Sequence, residues 1–139
     1  MAGYSKRSLV EKLGIKEGAK IALVNPPNDY DTTLGALPKG VVVADSRAVR
    51  RAAALDFIHL FTKERSDLEK RMPVLKQSMS PSAAFWVSWP KGSSGIKTDL
   101  NENGVREIAL KNGLVDVKVC AVDETWSGLK LVYRLRDRP

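Results

Sequence analysis

Residues 82–99 read SAAFWVSWPKGSSGIKTD, and the fold depends on how this stretch is parsed. Ala83, Ala84, Phe85, Trp86 and Val87 follow one another with no polar position between them. A strand with one wet face alternates, whereas an unbroken apolar run suits a strand covered on both faces, as parallel strands are. Pro90 has no N–H to give a ladder and is expected to end the strand after Trp89. Lys91, Gly92, Ser93, Ser94 and Gly95 then make a polar loop whose N–H groups and hydroxyls, with Lys91 and Lys97 nearby, suit an anion. The loop lacks the Gly-Lys-Ser/Thr close of a nucleotide-binding P-loop. Asp99 and Glu102 have the spacing of a capping box, which predicts a helix opening at Leu100.

Upstream, strands and helices alternate. Ser8 and Glu11 frame a short first helix that Gly14 can stop. Ala19–Val24 is an apolar strand closed by Asn25-Pro26-Pro27, where two prolines remove backbone donors. Asn28 to Leu37 reads as a brief helix, and Val41–Val43 as a second buried strand ending at Asp45. Arg47 to Ala54 has the composition of a two-turn helix, barely long enough for a parallel crossover, so any further strand here has been lost. Leu55–Phe61 is the third strand. Ser66 and Glu69 suggest a capping box for the next helix, with Leu68, Met72, Leu75 and Met79 as its core face and Pro73 as a kink or restart.

Downstream, Leu100 to Lys111 is helical and Asn112-Gly113 can cap it. Leu114–Val122 alternates valines with Asp116, Lys118 and Cys120, and Leu129–Arg136 alternates again. Asp123–Gly128 between them can close an antiparallel hairpin. The expected architecture is therefore α/β: a three-layer, mainly parallel sheet with a C-terminal antiparallel hairpin, in one domain over 1–139.

The 139 residues are 43% hydrophobic and 28% charged, which excludes disorder as the main state. No apolar run is long enough for a membrane span, and the first residues lack the apolar centre of a signal peptide. A cytoplasmic location is expected, and the single Cys120 agrees with it. A formal net charge of +7 favours an anionic partner. Its basic residues are scattered, with local clusters only at Arg47, Arg50, Arg51 and at Arg134, Arg136, Arg138, so a solvated surface is the plain reading and weak nucleic-acid binding a distant one.

The order of elements resembles the class I methyltransferase fold, whose final hairpin inserts its last strand into the sheet. KLGIKEGAKIALV is similar to that family's first helix and strand, LDFIHLF to its fourth strand, and SPSAAFWVSWPK to the step that follows, with the middle shortened. FWVSWPKGSSGIKTDL and GLVDVKVCAVDETWSGLKLVYR also resemble an uncharacterised family of short bacterial proteins, a domain of unknown function. The methyltransferase resemblance implies an S-adenosylmethionine site at a glycine-rich turn after the first strand, and a ribose-binding acid where Asp45 falls. Here that turn reads Val24-Asn25-Pro26-Pro27-Asn28-Asp29, with no glycine to let the backbone approach a cofactor closely. Asn25-Pro26-Pro27 is also similar to the Asn-Pro-Pro-aromatic motif of amino-methyltransferases, but Asn28 stands in the aromatic's place. No cofactor and no metal are therefore expected.

In a doubly wound sheet the strand ends bring their loops to one edge, where ligands bind. Lys91, Ser93, Ser94, Asp123, Glu124 and Trp126 are the candidate ligand-binding residues there, with carboxylates facing Lys91 across an aromatic wall. The competing reading is a hairpin turn with a Trp folded over the sheet. His59 shares a strand face with Leu55, Phe57 and Phe61 and reads as a core histidine; Cys120 reads as a buried thiol. No catalytic residue is assigned. The function expected is a non-catalytic, pseudo-methyltransferase module that binds a small anionic ligand or a protein partner. The alternatives are an enzyme of unassigned type acting on a small anionic substrate at the Lys91/Asp123/Glu124 edge, and a nucleic-acid binder.

Overall fold

The computed structural model describes residues 8–44 and 55–134. They form one six-stranded sheet of order β2-β1-β3-β4-β6-β5 with helices on both faces. The strands are β1 (Lys20–Val24), β2 (Val42–Ala44), β3 (Leu55–Phe61), β4 (Met79–Pro90), β5 (Leu114–Ala121) and β6 (Trp126–Tyr133). The first four pair in parallel, and β6 lies antiparallel between β4 and β5. This is the expected α/β sheet with its last strand inserted in reverse. The 45–54 segment, which holds Asp45 and the predicted Arg47–Ala54 helix, lies outside the described residues.

Helices α1 (Leu9–Leu13) and α2 (Tyr30–Leu34) cover the front face; α3 (Arg65–Lys76) and α4 (Glu102–Lys111) cover the back. The front core holds Leu13, Ile21, Tyr30, Phe57, Phe61 and Trp86. The back core includes Leu60, Leu68, Met72, Phe85, Val87 and Ile108. Consecutive residues of β4 thus feed opposite cores, which explains its unbroken apolar run: Phe85, Trp86 and Val87 are all 0% exposed. Trp86 also donates its indole N–H to Leu13 O at 2.9 Å, fixing the end of α1 to the sheet.

Several boundaries differ from the sequence reading. β4 begins at Met79, so Met79 is a strand residue and not the end of α3's apolar face. Trp89, next to the end of β4, is 6% exposed and packs in the back core. α3 runs from Arg65 through Pro73 to Lys76 without restarting, and Ser66 lies inside it. Its first turn is capped from elsewhere in the chain, since Arg65 N donates to Asp99 Oδ1 at 2.7 Å. Asp99 is thereby taken from the helix that it was expected to open. That helix is capped by Asn101, whose Oδ1 accepts from Gly104 N at 2.8 Å.

α2 is five residues long, shorter than Asn28–Leu37, with Gly35 in a positive-φ conformation at its end. β2 is an edge strand whose Val42 is 56% exposed and Val43 49%, so the expected second buried strand is open on its outer side. In the last hairpin the register shifts between Asp116 and Lys118. This bulge breaks the alternation expected for β5, because it turns residues before and after Val117 to opposite faces. Asp116 points to the back, where Arg106 Nε of α4 donates to its Oδ2 at 3.0 Å. Lys118 and Cys120 point to the front, and Val117 and Val119 are left half exposed. β6 starts at Trp126 and ends at Tyr133, three residues earlier at each end than the sequence reading.

Candidate functional site

The carboxyl ends of β1, β3 and β4 meet the β5–β6 turn at one edge of the sheet. The Lys91–Gly95 loop and the Asp123–Trp126 turn lie side by side, as the architecture requires. Lys91 N donates to Thr125 O at 2.8 Å, and Pro90 pairs with Trp126 across the ladder. The loop is a single 3-10 turn over Gly92–Ser94, followed by Gly95 in the left-handed region. Ser94 Oγ donates to Lys91 O at 2.7 Å and accepts from Ile96 N at 3.1 Å, so this hydroxyl builds the turn. Asp123 Oδ1 accepts from both Thr125 N and Trp126 N at 2.8 Å, as an Asx turn does. Trp126 is half-buried, its ring edge-on to Phe61 at 5.2 Å between centroids.

The six candidates therefore come together, but in two kinds. Ser94, Asp123 and Trp126 are engaged in local structure, while Ser93 and Glu124 are exposed and Lys91 is half-buried. Among the described residues no ion pair joins Lys91 to Asp123 or Glu124. The far end of the loop is tied down as well: Thr98 Oγ1 donates to Lys63 O at 2.6 Å, beside the Asp99 cap on α3. A cleft of about 460 Å³ lined by Lys63, Glu64, Lys97, Thr98 and Asp99 opens there.

At the end of β1 the decisive residue is Asn25. With φ at 57° it is the only non-glycine with positive φ among the described residues. Its side-chain Nδ2 donates to Phe61 O at 3.1 Å, bridging the ends of β1 and β3. Asn is among the few non-glycine residues that adopt this left-handed conformation, and here its amide bonds to the neighbouring strand. Pro26 and Pro27 follow with no N–H to offer, and Tyr30 of α2 behind them is buried at 2% exposure. Next to β1, Thr62 at the end of β3 donates to Asp67 Oδ2 at 2.7 Å. Burial works against ionising Asp67, but the bonds from Thr62 and Arg71 prevail and hold its carboxyl below the usual carboxylate range.

Beneath this edge a polar chain runs through the front core. Tyr30 Oη lies 2.7 Å from His59 Nδ1, and His59 Nε2 lies 2.7 Å from Ser88 Oγ. All three are buried, and Phe61 stacks on the imidazole at 4.1 Å. Burial drives the His59 pKa down to about 3, so the ring is neutral, and pushes the Tyr30 phenol up with help from Asp31. The chain satisfies the wholly buried imidazole on both nitrogens, which bears out His59 as a core histidine. Its partners were not legible in the sequence, because Tyr30 and Ser88 each lie 29 residues away. The one hint was a serine inside an apolar strand.

No protein-family model and no curated protein sequence matches the chain. Solved structures do resemble it. An S-adenosylmethionine-dependent methyltransferase from Aquifex aeolicus superposes with a TM-score of 0.63 at 16% identity, over 88% of this chain and 86% of the other. A Sulfolobus solfataricus protein assigned as a type 11 methyltransferase gives 0.66 at 13% identity, over 93% and 91%. A possible exported protein from Bordetella parapertussis gives 0.64 at 10% identity, over 89% and 64%. At these identities the likeness establishes the methyltransferase-like α/β fold. Also, no helix among the described residues is long and apolar enough to cross a membrane.

Proposed function

We propose that this chain is a methyltransferase-like module that does not use S-adenosylmethionine and works by binding a small anionic ligand or a protein partner at the carboxyl edge of its sheet. The observation that carries the reading is the turn after β1. A dinucleotide or nucleoside cofactor needs glycine there so that the backbone can come close. Asn25 instead spans the gap to Phe61 O, and the two prolines present no donors. The residues at this position do not fit the cofactor, and no methyl-transfer step is derived from them.

What remains open at the edge is Lys91, Ser93 and Glu124 around the half-buried Trp126. An ammonium and a hydroxyl beside an aromatic wall suit a small polar ligand. The same juxtaposition favours the second reading, an enzyme acting on a small anionic substrate with Glu124 as a proton acceptor. Weak binding to nucleic acid rests on the net charge alone.

Titration calorimetry with S-adenosylmethionine tests the first reading. The expected result is no saturable heat, and saturable binding in the low-micromolar range would overturn it.

A further inference from the structure

At the opposite end of the sheet, between the end of α1 and the β5–β6 hairpin, lies a second cleft of about 510 Å³. Its lining is mixed: Phe57 of β3, Ala84 of β4 and Val132 of β6 are apolar, Ser82 and Asp56 are polar, and Lys16 and Lys130 are cationic. The bulge in β5 sets a third cation beside Lys130, next to the cleft. Because the register slips by one residue at Val117, Lys118 stands directly opposite Lys130 in the ladder and on the same face. Like charges directly opposite on neighbouring strands are destabilising, so this pairing is a local cost that needs a reason.

Protection of a sheet edge, the usual role of an exposed strand lysine, would account for Lys118 on β5. It does not account for Lys130. That residue is half-buried on β6, an interior strand, and makes no ion pair among the described residues. Burial first, then Lys118 and Lys16, depress the Lys130 pKa, as expected of an ammonium set among like charges. Asp56 also lines the cleft, but its Oδ2 already accepts from Lys20 N at 2.9 Å. Lys118 Nζ in turn donates to Lys12 O at 3.2 Å, which ties it to the end of α1.

We propose that this cleft is an anion-binding site for a small phosphate monoester with an apolar body, the phosphate held by Lys16, Lys118 and Lys130 and the apolar part lying on Phe57, Ala84 and Val132. Two lysines lining the cleft, with a third directly across the ladder from one of them, match a dianion, and the volume is that of a small-ligand pocket. The site lies at the amino ends of the parallel strands, so it stands or falls independently of the carboxyl edge.

Phenyl phosphate, inorganic phosphate and phenol are the probes, each titrated at matched ionic strength and followed by amide NMR and thermal unfolding. Phenyl phosphate is expected to bind saturably and more tightly than inorganic phosphate, with phenol inert. Lys130→Met should weaken that binding by about tenfold, the loss of one charge-assisted contact. Lys16→Met, in a loop outside the strands, should weaken it as well and serves if Lys130→Met does not fold. Lys70→Met, exposed on α3 across the sheet, should leave it unchanged. Without ligand, Lys118→Thr should raise the melting temperature by about 1–3 °C by relieving the like-charge pair. The proposal is overturned if phenyl phosphate shows no saturable binding, or if its binding survives both Lys130→Met and Lys16→Met.

Discussion

Tyr30 reaches from α2 into the sheet and places its hydroxyl 2.7 Å from Nδ1 of His59. Ser88 meets the other ring nitrogen at the same distance, so the imidazole joins a helix, β3 and β4 through one satisfied polar chain. Removing either partner leaves a buried nitrogen unpaired, which costs the desolvation of that group. Tyr30→Phe should therefore destabilise by about 1–3 kcal/mol, read as a lower urea midpoint.

The same histidine sets a pH dependence. Its folded pKa of about 3 lies below the usual 6.5, so the unfolded chain binds the extra proton first as pH falls. Stability from this residue is full above pH 6.5 and is lost as pH drops towards 3, by about 1.4 kcal/mol per pH unit. Urea unfolding of the wild type and of His59→Leu between pH 7 and 4.5 should show the slope in the first and a flatter profile in the second. Parallel profiles would refute a neutral buried imidazole.

Gly128 on β6 packs against this chain: a Cβ there would stand 3.2 Å from Ser88 Oγ and 3.2 Å from Trp86 Cε3. Both neighbours are wholly buried and have little room to give. Gly128→Ala should cost about 1–3 kcal/mol by overpacking, and Trp86→Ala about 3–5 kcal/mol by emptying a large core site. Denaturant midpoints measure both, and an unchanged midpoint for Trp86→Ala would contradict the central position of β4.

The carboxyl edge separates structural from available groups. Asp123→Ala removes two hydrogen bonds from the β5–β6 turn and should destabilise by about 1–2 kcal/mol. Lys91→Ala and Glu124→Ala should leave the melting temperature within about 1 °C, as surface changes do. A clear drop for either would mean that the pair locks the hairpin and is not free to bind.

The sequence by itself determined the alternation of strands and helices, the two-sided burial around Trp86, the reversed last strand and the absence of glycine after β1. Each is written in a short window, as a run of apolar residues, a change of period, or a residue type that cannot adopt the needed backbone. It also pointed to Lys91 beside the Asp123 turn, on the expectation of a parallel sheet with a terminal antiparallel hairpin, where a meander would have put the two loops at opposite ends. Tertiary structure decided which group satisfies which. Asp99 left its own helix for Arg65 N, 34 residues away, and Asn25 reached 36 residues to Phe61 O. One extra residue in β5 sent Asp116 to Arg106 behind the sheet and Lys118 to Lys130 in front. Side-chain direction in a strand has a period of two, so a single-residue slip reverses it, and only pairing with β6 fixes where that slip falls.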